Sequence, residues 1–276
     1  MAYTSHSPPH AYTHEHTRSS PTYPHARTHS PLPTLAAIEA DFERYMQHFR
    51  PFLSMGLSNS QEHQVCQIAV GVVGDVCRSL EGKFEPFCEE IVPLLLKLLQ
   101  DSALKRDVKP PILSCFGDIA LALGGGFEKY LQITMTMLVQ AQGTVATDPN
   151  DPDMLDYVDT LREGILEAFT GILQGLRAGE KADRFGDYVG KTLEFLGVLA
   201  TEVHNKTETS DTPSDEVVRA AVGVVGDLSS SLGARFKQMV KQPPHKDVVK
   251  ALLKAAKASP NETTKQVAGW VQSELH

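Results

Sequence analysis

From Thr34 onward the apolar residues recur at three- and four-residue intervals, the period of a helix with one buried face. The first run shows the pattern: Phe42, Tyr45, Met46, Phe49, Phe52 and Leu53 share one stripe. No stretch alternates apolar and polar residues with the period of two that a half-buried strand needs. Start and stop signals cut this pattern into segments. Ser58 with Gln61 three residues on reads as a capping box. Asp151-Pro152 and Thr212-Pro213 each set a cap before a proline at the first helical position, and Ser259-Pro260-Asn261-Glu262 does both. The stops are Glu81-Gly82, Gly124-Gly125-Gly126, Ala178-Gly179 and Gly233. These bounds predict helix pairs over 61–80 with 85–100, 107–123 with 126–142, and 153–177 with 182–204. A helix over 213–232 is followed by two shorter ones near 234–257, and a closing helix spans about 260–275. Residues 34–57 read as the second helix of a preceding pair.

The units resemble one another. Residues 69–75 read Ala-Val-Gly-Val-Val-Gly-Asp, and residues 221–227 repeat those letters unchanged. Ser114-Cys-Phe-Gly-Asp118 and Ala168-Phe-Thr-Gly171 fit the same frame, which aligns Gly74, Gly117, Gly171 and Gly226 at spacings of 43, 54 and 55 residues. A period somewhat above 40 with two helices per unit marks HEAT-type repeats. The expected fold is therefore all-α, an α-solenoid of antiparallel helix pairs over 34–276, with polar insertions at 147–153 and 204–213. Glycine inside a helix costs about 1 kcal/mol against alanine. Closer approach of a neighbouring helix can offset that cost. Asp75, Asp118 and Asp227 follow the glycines and are expected to bond the backbone or a neighbouring repeat; the alternative is a solvated carboxylate.

Residues 1–33 are different material. They hold six of the eleven histidines, many Pro, Ser and Thr, and one acidic residue, Glu15. So few aliphatic side chains cannot offset chain entropy, and a disordered tail is expected. The whole chain carries a formal charge of −8, and no basic stripe stands out. Nucleic acid is excluded as a partner on that ground, because its binding rests on phosphate neutralisation. An acidic protein attracts a basic peptide instead, although the charge also serves solubility. No C-x-x-C pair occurs among Cys66, Cys77, Cys88 and Cys115, and three of them recur at eleven-residue spacing among apolar neighbours. They read as small core residues of a reduced protein. No apolar run reaches membrane-spanning length. Chemistry finds no footing either. His63 lacks a partner four residues on, the glycines near Gly71 follow no strand, and Asp148, Asp151 and Asp153 lack the Gly and Glu of a calcium loop. No cofactor, metal or catalytic residue is indicated, and no enzyme is expected.

Four stretches resemble the importin-β family of nuclear import receptors (karyopherin-β) in its C-terminal HEAT repeats. They are Glu62-His-Gln-Val-Cys-Gln-Ile-Ala-Val-Gly-Val-Val-Gly-Asp-Val-Cys-Arg-Ser-Leu80, Val108-Lys-Pro-Pro-Ile-Leu-Ser-Cys-Phe-Gly-Asp-Ile-Ala-Leu-Ala122, Asp156-Tyr-Val-Asp-Thr-Leu-Arg-Glu-Gly-Ile-Leu-Glu-Ala-Phe-Thr-Gly-Ile-Leu-Gln-Gly-Leu176 and Thr264-Lys-Gln-Val-Ala-Gly-Trp-Val-Gln-Ser-Glu-Leu275. The resemblance covers about residues 35–275 and implies helix pairs wound into a right-handed superhelix, the second helix of each pair lining the concave face. It implies an importin-α-type adaptor as partner, bound through its basic helix, together with Phe-Gly nucleoporins. Ran-GTP binding belongs to N-terminal repeats outside the resembling stretch, so the chain is expected to be part of a longer receptor. It further implies work in cytoplasm and nucleus, at the nuclear envelope and pore. In such a family, acidic and aromatic side chains hold the basic helix. The candidates here are Glu85, Glu89, Asp183, Asp187 and Glu194, off the apolar stripes Phe87-Ile91-Leu94-Leu98 and Phe185-Val189-Leu193-Leu196, with Trp270 as an aromatic anchor. A solvated face, and a Trp270 that merely caps the stack, are the alternatives. A HEAT scaffold for some other assembly remains the second functional reading.

Overall fold

The computed structural model describes residues 42–148, 150–205 and 212–276. The expected tail over 1–33 and most of the 204–213 insertion lie outside the described residues. Among the described residues every regular element is helical. The α-helices are α1 Glu43–Leu57, α2 His63–Leu80, α3 Glu85–Gln100, α4 Lys109–Leu123, α5 Glu128–Gln142, α6 Pro152–Ala178, α7 Val189–His204, α8 Asp215–Met239, α9 His245–Ala258 and α10 Glu262–Glu274. Helices α2, α4, α6, α8 and α10 stack in sequence order as one layer; in the other layer α1 packs on α3 and α7 on α9. This is the all-α solenoid that the periodicity predicts. One hydrophobic core runs the length of the stack, from Phe42 to Val271.

A shared turn returns the chain from the first layer to the second. Glu81, Gly124, Glu180 and Gly233 all have positive φ, between 48° and 57°. Beyond each comes a fully buried aromatic: Phe84, Phe127, Phe185 and Phe236. Short 3-10 segments, Glu81–Phe84, Gly124–Phe127 and Ala182–Tyr188, carry three of these rings inward. Burying one such ring contributes about 1.5–3 kcal/mol, which ties every reversal to the core. At the fourth reversal α8 bends at Gly233.

The aligned glycines make room for unlike neighbours. A Cβ on Gly171 would lie 2.5 Å from the Gly117 backbone, one on Gly175 2.1 Å from the Ala120 carbonyl oxygen, and one on Gly164 2.6 Å from that of Pro110. Backbone therefore meets backbone between α4 and α6. At Gly226 the space is filled by the Trp270 ring, 2.4 Å from a Cβ, and at Gly74 by the Asp118 carboxylate at 2.6 Å. Two of the three aspartates beside the glycines reach the preceding repeat, as expected, and the third does not. Asp118 accepts from Arg78 at 3.1 Å and Asp227 from Gln174 at 3.0 Å, while Asp75 pairs with Arg78 on its own helix.

Other expectations change. Ser58 caps nothing downstream: its hydroxyl donates to the Ser54 carbonyl at 2.8 Å, because the residue still belongs to the end of α1. Helix α2 starts with no side-chain cap. Ser214, not Thr212, caps α8, accepting from the Val217 amide at 3.2 Å. Asp151 caps α6, as expected. Asn261, not Ser259, caps α10, accepting from the Thr263 amide at 2.9 Å, because the helix begins at Glu262. The left-handed stops fall on Glu81 and Glu180 rather than on Gly82 and Gly179. On α3 the buried residues are Cys88, Ile91, Val92, Leu95 and Leu98; Phe87 and Leu94 are only half-buried. The stripe Phe185-Val189-Leu193-Leu196 is buried throughout. Two apolar stretches, Arg106–Gln142 and Asp215–Met239, do reach membrane-spanning length, contrary to expectation. The first is broken at Gly124, and the second buries 67% of its apolar window against other helices. All four cysteines are buried free thiols, and burial pushes Cys88 up to about 12.

Candidate interaction surface

The second-layer helices begin where the chain leaves each reversal, so their first turns form a row across the repeats. Charges alternate along it. Lys83 pairs with Glu43 at 2.9 Å and Lys129 with Glu85 at 3.5 Å; Glu128 meets Lys181 at 2.7 Å and Arg184 at 2.8 Å. The Lys181 ammonium, donating to the carboxylate, holds Glu128 below the usual carboxylate range. Exposed pairs of this kind add little stability. Their consequence is which carboxylates stay open. Glu85 is already partnered from the next repeat, and Glu194 is partnered by Lys191 at 2.7 Å one turn away. Glu89, Asp183 and Asp187 are exposed, and among the described residues none of the three has a cationic partner.

Asp183 and Asp187 do not lie on a continuous inner helix over 182–204. They sit in the 3-10 segment Ala182–Tyr188 that precedes α7. A 3-10 turn holds about three residues, so side chains four apart splay instead of lining up. The extra residues between Glu180 and Phe185, against the shorter turns elsewhere, are what this segment takes up. Trp270, on α10, is half-buried, with its ring edge against Gly226 and Val271 beneath. The ring thus packs the stack.

One feature escaped the sequence reading, which found no basic stripe. Lys246, Lys250, Lys254 and Lys257 recur along α9 at helical spacing. With Lys241 they rim a groove of about 610 Å³, lined also by Val240, Val249, Leu253 and Gln272. The signal was present as four lysines at intervals of four, four and three, but the net charge of −8 averages it away.

Elsewhere α6 carries a half-buried acid. Burial, and then Glu167, Glu216 and Asp159, push Glu163 up to about 7, with Arg219 opposing. Arg162 beside it is buried and pairs with Glu202 of α7 at 2.8 Å. Asp159 also accepts from the Ser214 amide at 2.8 Å, joining the third repeat to the fourth.

These observations define a class: a helical-repeat solenoid that offers extended charged faces. The particular membership follows from sequence. Residues 33–257 match the family model for importin subunit beta-1-like TPR repeats, and the chain belongs to that family. It is 41% identical over 238 residues to importin subunit beta-1 of Arabidopsis thaliana and 40% identical over 240 residues to that of Schizosaccharomyces pombe. These alignments cover 86% and 87% of this chain and 26% of each relative, so the chain spans about a quarter of their length. A crystal structure of importin beta superposes with a TM-score of 0.78 at 33% identity, over 87% of this chain and 28% of that one. A Kap95:Nup1 complex gives 0.73 at 29%. Kap95p, whose binding induces the switch loops of RanGDP to adopt the GTP-bound conformation, gives 0.74 at 29%. Each of those two alignments covers 87% of this chain and 27% of the other. Trp270 lies beyond the matched residues 33–257.

Proposed function

We propose that this chain works by binding alone, as part of a nuclear transport receptor that holds the basic helix of an importin-α-type adaptor and meets Phe-Gly nucleoporins while moving between cytoplasm and nucleus through the pore. Family membership supports the receptor class, and the related complexes with Nup1 and RanGDP support its setting. The observation that carries the adaptor reading is the set of open carboxylates, Glu89, Asp183 and Asp187, in a row where most other charges are neutralised. An arginine-rich helix gives each of them a charge-assisted, bidentate bond. Glu85 and Glu194 contribute by exchanging lysine for arginine, and Trp270 serves as an aromatic anchor for a guanidinium.

Calorimetry with an arginine-rich helical peptide tests this. Binding is expected at low salt and to fade as salt rises. Reversing Glu89, Asp183 and Asp187 together to lysine is expected to weaken it about tenfold or more, with the melting temperature unchanged because all three are exposed. Trp270→Ala should lower both affinity and stability, since the ring also fills the space over Gly226. Peptide binding indifferent to the triple reversal removes the adaptor reading and leaves a HEAT scaffold for another assembly.

A further inference from the structure

We propose that the lysine-rimmed groove on α9 is a docking site for an acidic amphipathic segment of another protein. Its floor is apolar, built from Val240, Val249 and Leu253, and Val240 and Val249 are buried. Its rim is cationic: Lys241, Lys246, Lys250, Lys254 and Lys257 are all exposed. The decisive contrast is with the lysines at the reversals and the first turns of the second layer. Lys83, Lys129, Lys181 and Lys191 each face a carboxylate of this chain. Among the described residues, Lys241, Lys246, Lys250 and Lys254 face none, and Lys257 donates only to Gln272. Between positions 237 and 265 stand seven lysines against Asp247 and Glu262, in a chain whose formal charge is −8. Local charge of this sign on an acidic protein calls for an anionic partner rather than for solubility.

The shape decides which anion. A concave, apolar-floored groove of about 610 Å³ accepts two or three side chains from one face of a helix, while carboxylates on its flanks reach the lysines. A membrane surface fits poorly, because the apolar residues are recessed behind the rim and cannot insert. Single-stranded nucleic acid fits poorly as well, since the groove holds no aromatic ring on which a base could stack. The occupant is opposite in charge to the basic helix proposed above, so the two readings stand or fall separately.

The test uses the full chain and a labelled synthetic helix of about 16 residues with leucines on one face and glutamates on the other. Fluorescence anisotropy is expected to show saturable binding that weakens with salt. Lys250→Glu with Lys254→Glu is expected to weaken it about tenfold or more, with an unchanged melting temperature, since both lysines are exposed. A peptide of the same composition with its leucines scattered should bind at least several-fold more weakly. The proposal is overturned if the helix does not bind, if the double reversal leaves its affinity unchanged, or if the scattered peptide binds equally well. It is also overturned if polyuridylate or phosphatidylserine vesicles, tested in parallel, bind through these lysines more tightly than the helix does.

Discussion

Glu81 holds φ 48° and ψ −133°, a conformation that Gly124 and Gly233 adopt at the matching turns. For a residue with a Cβ such a region costs about 1–3 kcal/mol. Glu81→Gly is therefore expected to raise stability by about 1 kcal/mol, read as a higher urea midpoint. An unchanged midpoint would show that the turn carries no strain. Asp227 stores energy differently. Burial pushes it up to about 6, against hydrogen bonds from Gln174 and Thr170 and the charge of Arg177. Its folded pKa thus stands above the unfolded value of 3.8, so the native state binds the extra proton and stability falls as pH rises from about 4 to about 6. Glu163, pushed to about 7, extends the fall to neutral pH. Glu90 and Glu128, held low by Ser54 and Lys181 respectively, act in the opposite sense, and only as pH drops below their usual range. The melting temperature is expected to decline between about pH 4.5 and 7, and Asp227→Asn to flatten the lower part of that decline. A parent profile that is level across the window would contradict the assignment.

At the level of helices, what mattered most was legible and what refined it was not. The three- to four-residue period and the glycine stops placed nearly every helix, because both act within a few residues of chain. Cap assignment failed at Ser58, Thr212 and Ser259, since each lies near other polar residues and only the path of the backbone selects among them. The glycine frame was readable, but the occupant of each space was not. The stretches 69–75 and 221–227 are identical in sequence, yet Gly71 is exposed while every residue of 221–227 is buried. Two substitutions exploit the difference. Nothing lies within 4 Å of a Cβ on Gly71, so Gly71→Ala should stabilise by about 1 kcal/mol through helix propensity. Gly171→Ala drives a methyl into the Gly117 backbone and should cost about 1–3 kcal/mol or more. Chemical denaturation of the two variants reads both signs. Equal effects would mean that the α4–α6 approach is looser than described.

Across the whole molecule, the two proposed faces depend on residues far apart in the chain. Glu85 meets Lys129, and Glu128 meets Lys181, which no local motif announces. Candidate acids could therefore be picked from their place on a helix, but not sorted into open and partnered. One end of the stack is apolar. Phe52 and Met55 on α1, and Val65 and Ile68 on α2, are between 49% and 67% exposed, and the two helices touch between Gly56 and Ala69. A patch of this kind favours self-association. Sedimentation velocity is expected to show weight rising with concentration for the 276-residue chain, and Phe52→Gln with Ile68→Gln to suppress it. Identical profiles for both proteins would rule out this patch as the contact. The backbone-to-backbone seam between α4 and α6 bears on motion. At Gly164, Gly171 and Gly175 no side chain separates α4 from α6, so that seam is expected to resist compression. The opposite edge is joined across repeats by solvated ion pairs such as Glu85 with Lys129. Spreading of the second layer about that seam is the expected mode of flexing, and a partner that bridges Glu89 to Asp183 is expected to set how far the layer spreads.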